Sequence, residues 1–180
     1  MRVISVNTNG IRAAAKKGFY EWLKKINADI VCIQETKAQE DQLTHEQYKP
    51  DNYYCHYHDA VKKGYSGVAV LSKREPKNVA YGTSIESMDH EGRNLRLDFD
   101  ELSVMSLYLP SGTNDARLDF KLNYMAEFQE YVNDLKKEIP NLLICGDYNI
   151  CHEAIDIHNP VQNKNTSGFL PVEREWIGNF

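Results

Sequence analysis

The sequence predicts an α/β fold built on mixed sheets, and three observations predict it. Short apolar runs recur along the chain, and several end in a polar residue that chemistry could use. Residues 2–35 read as strand, helix, strand, the unit that pairs strands in parallel. Residues 94–109 read as a hairpin, which adds antiparallel pairing. Strands of both kinds suit an α+β or layered sandwich fold.

The elements follow in order. Arg2–Asn7 (RVISVN) is an apolar strand ending in an amide. Gly10 and Ile11 lead into a helix over Arg12–Ile26, where Ala15, Phe19, Trp22, Leu23 and Ile26 recur at helical spacing. Asp29–Glu35 (DIVCIQE) is a second strand, ending in Gln34 and Glu35. Thr36–Lys49 is polar, a candidate helix ending at Pro50. In Asn52–His58, Tyr53, Cys55 and Tyr57 alternate with Tyr54, His56 and His58. That is the strand period, and it makes the histidines sheet residues rather than metal ligands. Gly64–Gly67 (GYSG) turns into a strand at Val68–Leu71, and Arg74–Tyr81 follows with Pro76. Gly92 and Arg93 open Asn94–Phe99, and a turn at Asp100–Glu101 returns along Leu102–Leu109, past Tyr108.

Asn114–Ile139 is the clearest helix. Leu118, Leu122, Met125, Phe128, Val132, Leu135 and Ile139 keep a spacing of three to four. Thr113 or Asn114 caps its start, and Pro140 stops it. It is expected to pack on the next strand, Asn141–Asn149 (NLLICGDYN), whose continuous apolar run reads as buried on both faces. Gly146 lets that strand turn, and Asp147 and Asn149 follow at once. An ordinary strand-to-turn junction would look the same at one strand. Here four strands release Asn7, Glu35, Tyr108 and the Asp147/Asn149 pair, and ligand sites of α/β sheets gather at such ends. After Asn149 the sequence is irregular through Leu170, and Pro171–Trp176 begins a last helix. No repeat, low-complexity tract or linker marks a boundary, so one domain over 1–180 is expected.

Composition narrows the class. With 42% hydrophobic and 26% charged residues, the 180-residue chain reads as globular and large enough for a real core. No apolar run approaches membrane-spanning length, and the N-terminus does not read as a signal peptide. The four cysteines, Cys32, Cys55, Cys145 and Cys151, contain no C-x-x-C pair, so reduced thiols and a cytosolic protein are expected. The net charge of −5 excludes a bulk polycation. Lys and Arg nevertheless outnumber Asp and Glu in 1–37 (seven to three) and in 62–78 (five to one). Local basic patches beside acidic stretches suit phosphate contacts next to a metal site.

Glu35 and Asp147, with the amides Asn7 and Asn149, are hard donors that suit Mg²⁺ or Mn²⁺ rather than zinc. The H-E-x-x-H, Cys/His, phosphate-loop and G-x-S-x-G patterns are all absent, Ser66 in GYSGV lacking the last frame. A cation polarising a phosphoryl oxygen, a carboxylate activating water and amide or phenol donors together fit phosphoester hydrolysis. Spacing alone does not name the substrate.

Asn7, QETK at 34–37, GYSGV at 64–68, EGR at 91–93, Tyr108 and GDYN at 146–149 carry a resemblance, as does the stretch GDYNICHEAIDIHNPVQNKNTSGFLPVEREW. The chain resembles exonuclease III-type apurinic/apyrimidinic endonucleases of the endonuclease/exonuclease/phosphatase superfamily, in order from residue 1 to about 176. The resemblance implies a four-layer α/β sandwich of two mixed sheets flanked by helices. It implies Mg²⁺-dependent cleavage 5′ to abasic sites in double-stranded DNA, with 3′→5′ exonuclease and 3′-phosphodiesterase activities alongside, and Mn²⁺ as a substitute. Glu35 matches the principal metal ligand with Asn7 beside it. Asp147 matches the carboxylate that orients or deprotonates water, and Asn149 and Tyr108 match phosphate-positioning donors. Asn163 matches a position near the abasic nucleotide, and Arg93, Lys37 and Tyr65 match DNA-facing positions.

Departures also appear. Asn9 stands where some relatives have an Asp ligand, Thr166 where some have Asn, and Asn114 where animal-type members have an inserting Arg. The family continues past this point with an Asp ligand and an S-D-H motif that none of the six histidines here shows. The fold is therefore expected to be incomplete at its C-terminal end, with open sheet edges. That leaves two alternatives to an active nuclease: a non-catalytic DNA-binding fragment and, more weakly, a small-molecule phosphoesterase.

Overall fold

A computed structural model describes all 180 residues. The chain divides into two compact units, Met1–Tyr108 with Ile139–Asp147, and Leu109–Glu138 with Tyr148–Phe180. The sequence marks no boundary because the chain changes unit at the ends of strands and a helix, without a linker of distinct composition.

The first unit holds both sheets. One contains β1 (Val3–Asn7), β2 (Ile30–Gln34), β4 (Val68–Ser72) and β3 (Tyr54–His58), in that order. The other runs β5 (Asn78–Tyr81), β6 (Asn94–Asp98), β7 (Ser103–Tyr108), β8 (Leu142–Asp147). β1 pairs in parallel with β2, and β7 with β8; the other pairs are antiparallel. The fold is thus α/β with two mixed sheets, as expected. Ile30, Cys32, Val68 and Val70 of one sheet meet Leu95, Leu97 and Val104 of the other in a shared core. Each such side chain, fully buried, contributes about 1.5–3 kcal/mol. A polar bridge crosses this core: Gln34 Nε2 donates to Ser106 Oγ at 3.0 Å, and Ser106 Oγ donates to the Ile33 carbonyl at 3.1 Å. Gln34 is 1% exposed, so the first residue of QETK is a structural tie between sheets.

On the outer face of the first sheet, Val31, Ile33, Ala69 and Leu71 pack with Ile11, Phe19 and Leu23. The last three come from α1 (Ile11–Lys16) and α2 (Phe19–Ile26). The single helix expected over 12–26 is broken at Gly18, whose φ of 88° leaves the helical region. The polar stretch 36–49 forms only 3₁₀ turns at Glu40–Gln42 and Glu46–Tyr48. A short α3 (Glu86–Asp89) was not anticipated. β8 is an edge strand with Leu143 37% exposed, not a strand buried on both faces. An apolar run alone does not distinguish the two.

The second unit is built on α4 (Asp115–Glu138), with α5 (Pro160–Asn163) and α6 (Pro171–Asn179). Phe128 stacks on Tyr124 and on Phe180, and Phe180 stacks on Trp176 at 4.8 Å between centroids. Lys121 and Glu173, both 0% exposed, pair at 2.6 Å.

Candidate active site

Parallel pairing fixes where the polar residues emerge. Asn7 lies opposite Gln34 in the β1–β2 register, so Asn7 and Glu35 leave neighbouring strands at one end. Tyr108 lies opposite Asp147 in the β7–β8 register. The loops there are pinned by backbone hydrogen bonds. Gly10 and Ile11 N–H groups donate to the Glu35 and Thr36 carbonyls, and Thr36 and Lys37 N–H groups donate to the Gly67 and Ser66 carbonyls. QETK is therefore held by the segment after β1 and by GYSGV. The approach is close enough that a Cβ on Gly67 would lie 2.2 Å from Thr36 Oγ1. A Cβ on Gly146 of GDYN would lie 2.1 Å from the Leu107 carbonyl oxygen. Asn9, Glu35, Lys37 and Ser66 all have left-handed φ, between 44° and 52°. Strained non-glycine backbone of this kind clusters at functional sites.

Asn7 sits at the centre. Its Nδ2 donates to Glu35 Oε1 at 2.7 Å and to Asp147 Oδ2 at 2.8 Å. Its Oδ1 accepts from the Asn9 N–H at 2.9 Å. In this arrangement its nitrogen, not its oxygen, faces the carboxylates, because the Asn9 N–H holds the amide's direction. Lys37 Nζ pairs with Glu35 Oε2 at 2.6 Å and donates to Asn9 Oδ1 at 2.5 Å. Lys37 is thus held against Glu35 and Asn9 at the rim of the site. Burial pushes the Glu35 carboxyl upward, but the bonds from Lys37 and Asn7 outweigh it and hold Glu35 below the usual range. Tyr108 donates its phenol hydrogen to Glu35. Burial and the Glu35 charge push that phenol up to about 12, so it stays protonated and remains a donor.

Arg93 is the clearest correction among the DNA-facing expectations. It is 2% exposed. Its Nε pairs with Glu91 at 2.7 Å, its Nη1 donates to the Tyr108 carbonyl at 2.8 Å, and its Nη2 donates to the Tyr65 hydroxyl at 3.2 Å. Tyr65 is half-buried, its ring between Lys62 and Arg93.

Two expected residues lie in the second unit. Asn149 follows Asp147 by two positions, in a left-handed conformation with φ 50°. Its Nδ2 donates to the Leu109 carbonyl at 2.7 Å, and its carbonyl accepts from Lys121 Nζ at 2.7 Å. Asn163 braces its own turn, donating to the His158 carbonyl at 2.7 Å. The sequence reading missed Lys121 and Glu173. The signal was present: Lys121 falls on the same helical stripe as Met125, Phe128 and Val132, where a lysine is out of place.

No group of three or more His, Cys, Asp or Glu is positioned to hold a metal ion. Glu35, a hard oxygen donor beside Asp147, still suits a divalent cation, which takes one or two carboxylates with waters and substrate phosphate.

The model of the "Endonuclease/Exonuclease/phosphatase family" matches residues 4–179. The chain is 41% identical to an exodeoxyribonuclease of Bacillus subtilis, covering 100% of this chain and 71% of that protein. It is 39% identical to the DNA repair nuclease APEX1 of Danio rerio, covering 97% of this chain and 57% of that protein. Among solved structures, an AP endonuclease from Archaeoglobus fulgidus superposes with a TM-score of 0.86 at 28% identity, over 99% of this chain and 68% of that one. The chain thus spans 57–71% of the length of the two sequence relatives.

Proposed function

The chain belongs to the endonuclease/exonuclease/phosphatase family, and from that premise we propose that it carries the site of a DNA-repair nuclease hydrolysing the phosphodiester 5′ to an abasic site. The observation that carries this reading is the meeting of Glu35 and Asp147 on the one amide of Asn7, with the Tyr108 phenol beside Glu35. The names of the relatives, exodeoxyribonuclease and DNA repair nuclease, support DNA as the substrate.

In this reading Glu35 would hold Mg²⁺ (or Mn²⁺), which when bound would neutralise charge developing on the phosphoryl and leaving oxygens. Asn7 sets the separation of the two carboxylates and keeps Asp147 facing inward. Asp147 orients a water and accepts its proton as the oxygen–phosphorus bond forms. The bond to the 3′ oxygen breaks; that oxygen leaves with the bonding electron pair and takes a proton from solvent water, giving a 3′-hydroxyl and a 5′-phosphate on the abasic side. Tyr108 has one O–H, held by Glu35 in the free site; when substrate is bound it would turn from Glu35 to donate to a phosphate oxygen. The same chemistry at a 3′ end would give exonuclease and 3′-phosphodiesterase activity.

The test is incision of a duplex bearing one abasic site, with Mg²⁺ and with chelator. Chelator-sensitive incision is expected. Tight duplex binding without incision by a folded chain would replace this reading with that of a DNA-binding fragment. Hydrolysis of small phosphoesters alone would replace it with a phosphoesterase.

A further inference from the structure

We propose that Arg93 is a positioning residue of this site, acting through two tyrosines rather than by touching DNA. The proposal rests on the nuclease reading above. The guanidinium is almost wholly enclosed, at 2% exposure, and each nitrogen has a named acceptor: Glu91, the Tyr108 carbonyl and the Tyr65 hydroxyl. Its Cζ lies 4.8 Å from the Tyr108 ring centroid and 5.8 Å from that of Tyr65. Arg93 holds Tyr108 twice, because its own carbonyl also accepts the Tyr108 backbone N–H at 2.8 Å. The phenol fixed in this way is the one that donates to Glu35.

A planar fork with five donors fits this pocket, and a lysine ammonium does not: it cannot reach Glu91, a carbonyl and a hydroxyl from one point. Arg93 therefore links the GYSG loop, the start of β6 and the end of β7 into one support. The EGR motif thereby serves the site from behind. Glu91 supplies the counter-charge that permits burial of the cation.

A phosphate contact and a positioning role make opposite predictions. A residue that neutralises a phosphate contributes about 0.9 to the slope of log affinity against log salt, and lysine largely replaces it. A positioning residue leaves the slope alone and alters the chemical step, where misplacement by about 1 Å costs on the order of 100-fold. The experiment compares wild type, Arg93→Lys and Arg93→Met on a duplex with a stable abasic analogue and on a cleavable one. Expected are a dissociation constant within about twofold of wild type and an unchanged salt slope. Single-turnover incision at saturating DNA falls about 10- to 100-fold in both variants. Full incision by Arg93→Lys, or a slope reduced by about 0.9 in Arg93→Met, overturns the proposal.

A second readout separates this idea from the nuclease reading. In chain carrying ¹³C-labelled tyrosine, the Tyr65 and Tyr108 ring resonances, assigned with Tyr65→Phe and Tyr108→Phe, shift in Arg93→Lys. If they do not, Arg93 positions neither ring. If wild type neither binds nor cleaves the duplex, the functional reading fails, while these resonances still decide whether Arg93 holds the tyrosines. Where Arg93→Met fails to fold, Arg93→Lys carries the comparison.

Discussion

Replacing Lys121 with methionine removes the cation from a pair in which both side chains are 0% exposed. Glu173 would keep three donors, Ser167 Oγ at 3.0 Å, the Gly168 N–H at 2.6 Å and the Leu170 N–H at 2.9 Å. It would lose the ammonium at 2.6 Å, and the Asn149 carbonyl would lose its donor at 2.7 Å. Breaking one side of a buried ion pair costs about 3–5 kcal/mol. The three remaining donors favour the lower end, about 3 kcal/mol. For a chain of this size each kcal/mol moves the melting temperature by roughly 2–4 °C, so a fall of roughly 6–12 °C is expected. Thermal unfolding followed by circular dichroism reads it, with urea melts to check the free energy. The double variant Lys121→Met/Glu173→Gln removes the unpaired charge and regains part of the loss. A single variant melting within about 2 °C of wild type would refute the reasoning, since a buried carboxylate stripped of its cation cannot be neutral in energy.

Three other outcomes follow from the site. Glu35→Gln keeps one oxygen, enough for Asn7 or Lys37 but not both, and removes the charge; the fold should persist while Mn²⁺ or Mg²⁺ affinity weakens at least about tenfold, about 1.4 kcal/mol, and an unchanged metal titration would remove Glu35 as a ligand. Because Glu35 is held below the ordinary carboxylate range, the proton competes for it only at lower pH than usual. Metal binding should therefore survive as pH falls through about 4.3, the ordinary Glu value; loss of Mn²⁺ binding well above that would contradict the direction. Gly146→Ala puts a Cβ 2.1 Å from the Leu107 carbonyl oxygen. Backbone must shift, at about 1–3 kcal/mol, and the Asp147 carboxylate shifts with it, so both melting temperature and incision should drop; a variant with wild-type values would show that the β7–β8 contact is slack.

Much of the frame was legible locally. Apolar runs closed by turn residues marked the strands, and the amphipathic stripe of 114–139 marked α4, because side-chain periodicity is a property of neighbours in sequence. The break at Gly18 was less visible, since the apolar spacing continues through it while the backbone does not. Open sheet edges were expected, but that β8 forms one was not readable from its run: pairing on one side or two leaves the same Leu142 to Cys145.

The sequence by itself determined which residues stand at strand ends, and the motifs it shares with a nuclease family. Tertiary structure decided which of them meet and how they face. Asn7 and Asp147 lie 140 residues apart and join through one amide hydrogen bond. The Asn9 N–H decides that the amide offers nitrogen rather than oxygen to the carboxylates. Arg93, a candidate DNA contact by motif, is enclosed between two rings. Lys121, a helix lysine by sequence, is the buried partner of Glu173. In each case the direction of a polar group is set by the donor or acceptor that packing brings to it. That partner comes from a distant part of the chain, so no local pattern encodes it.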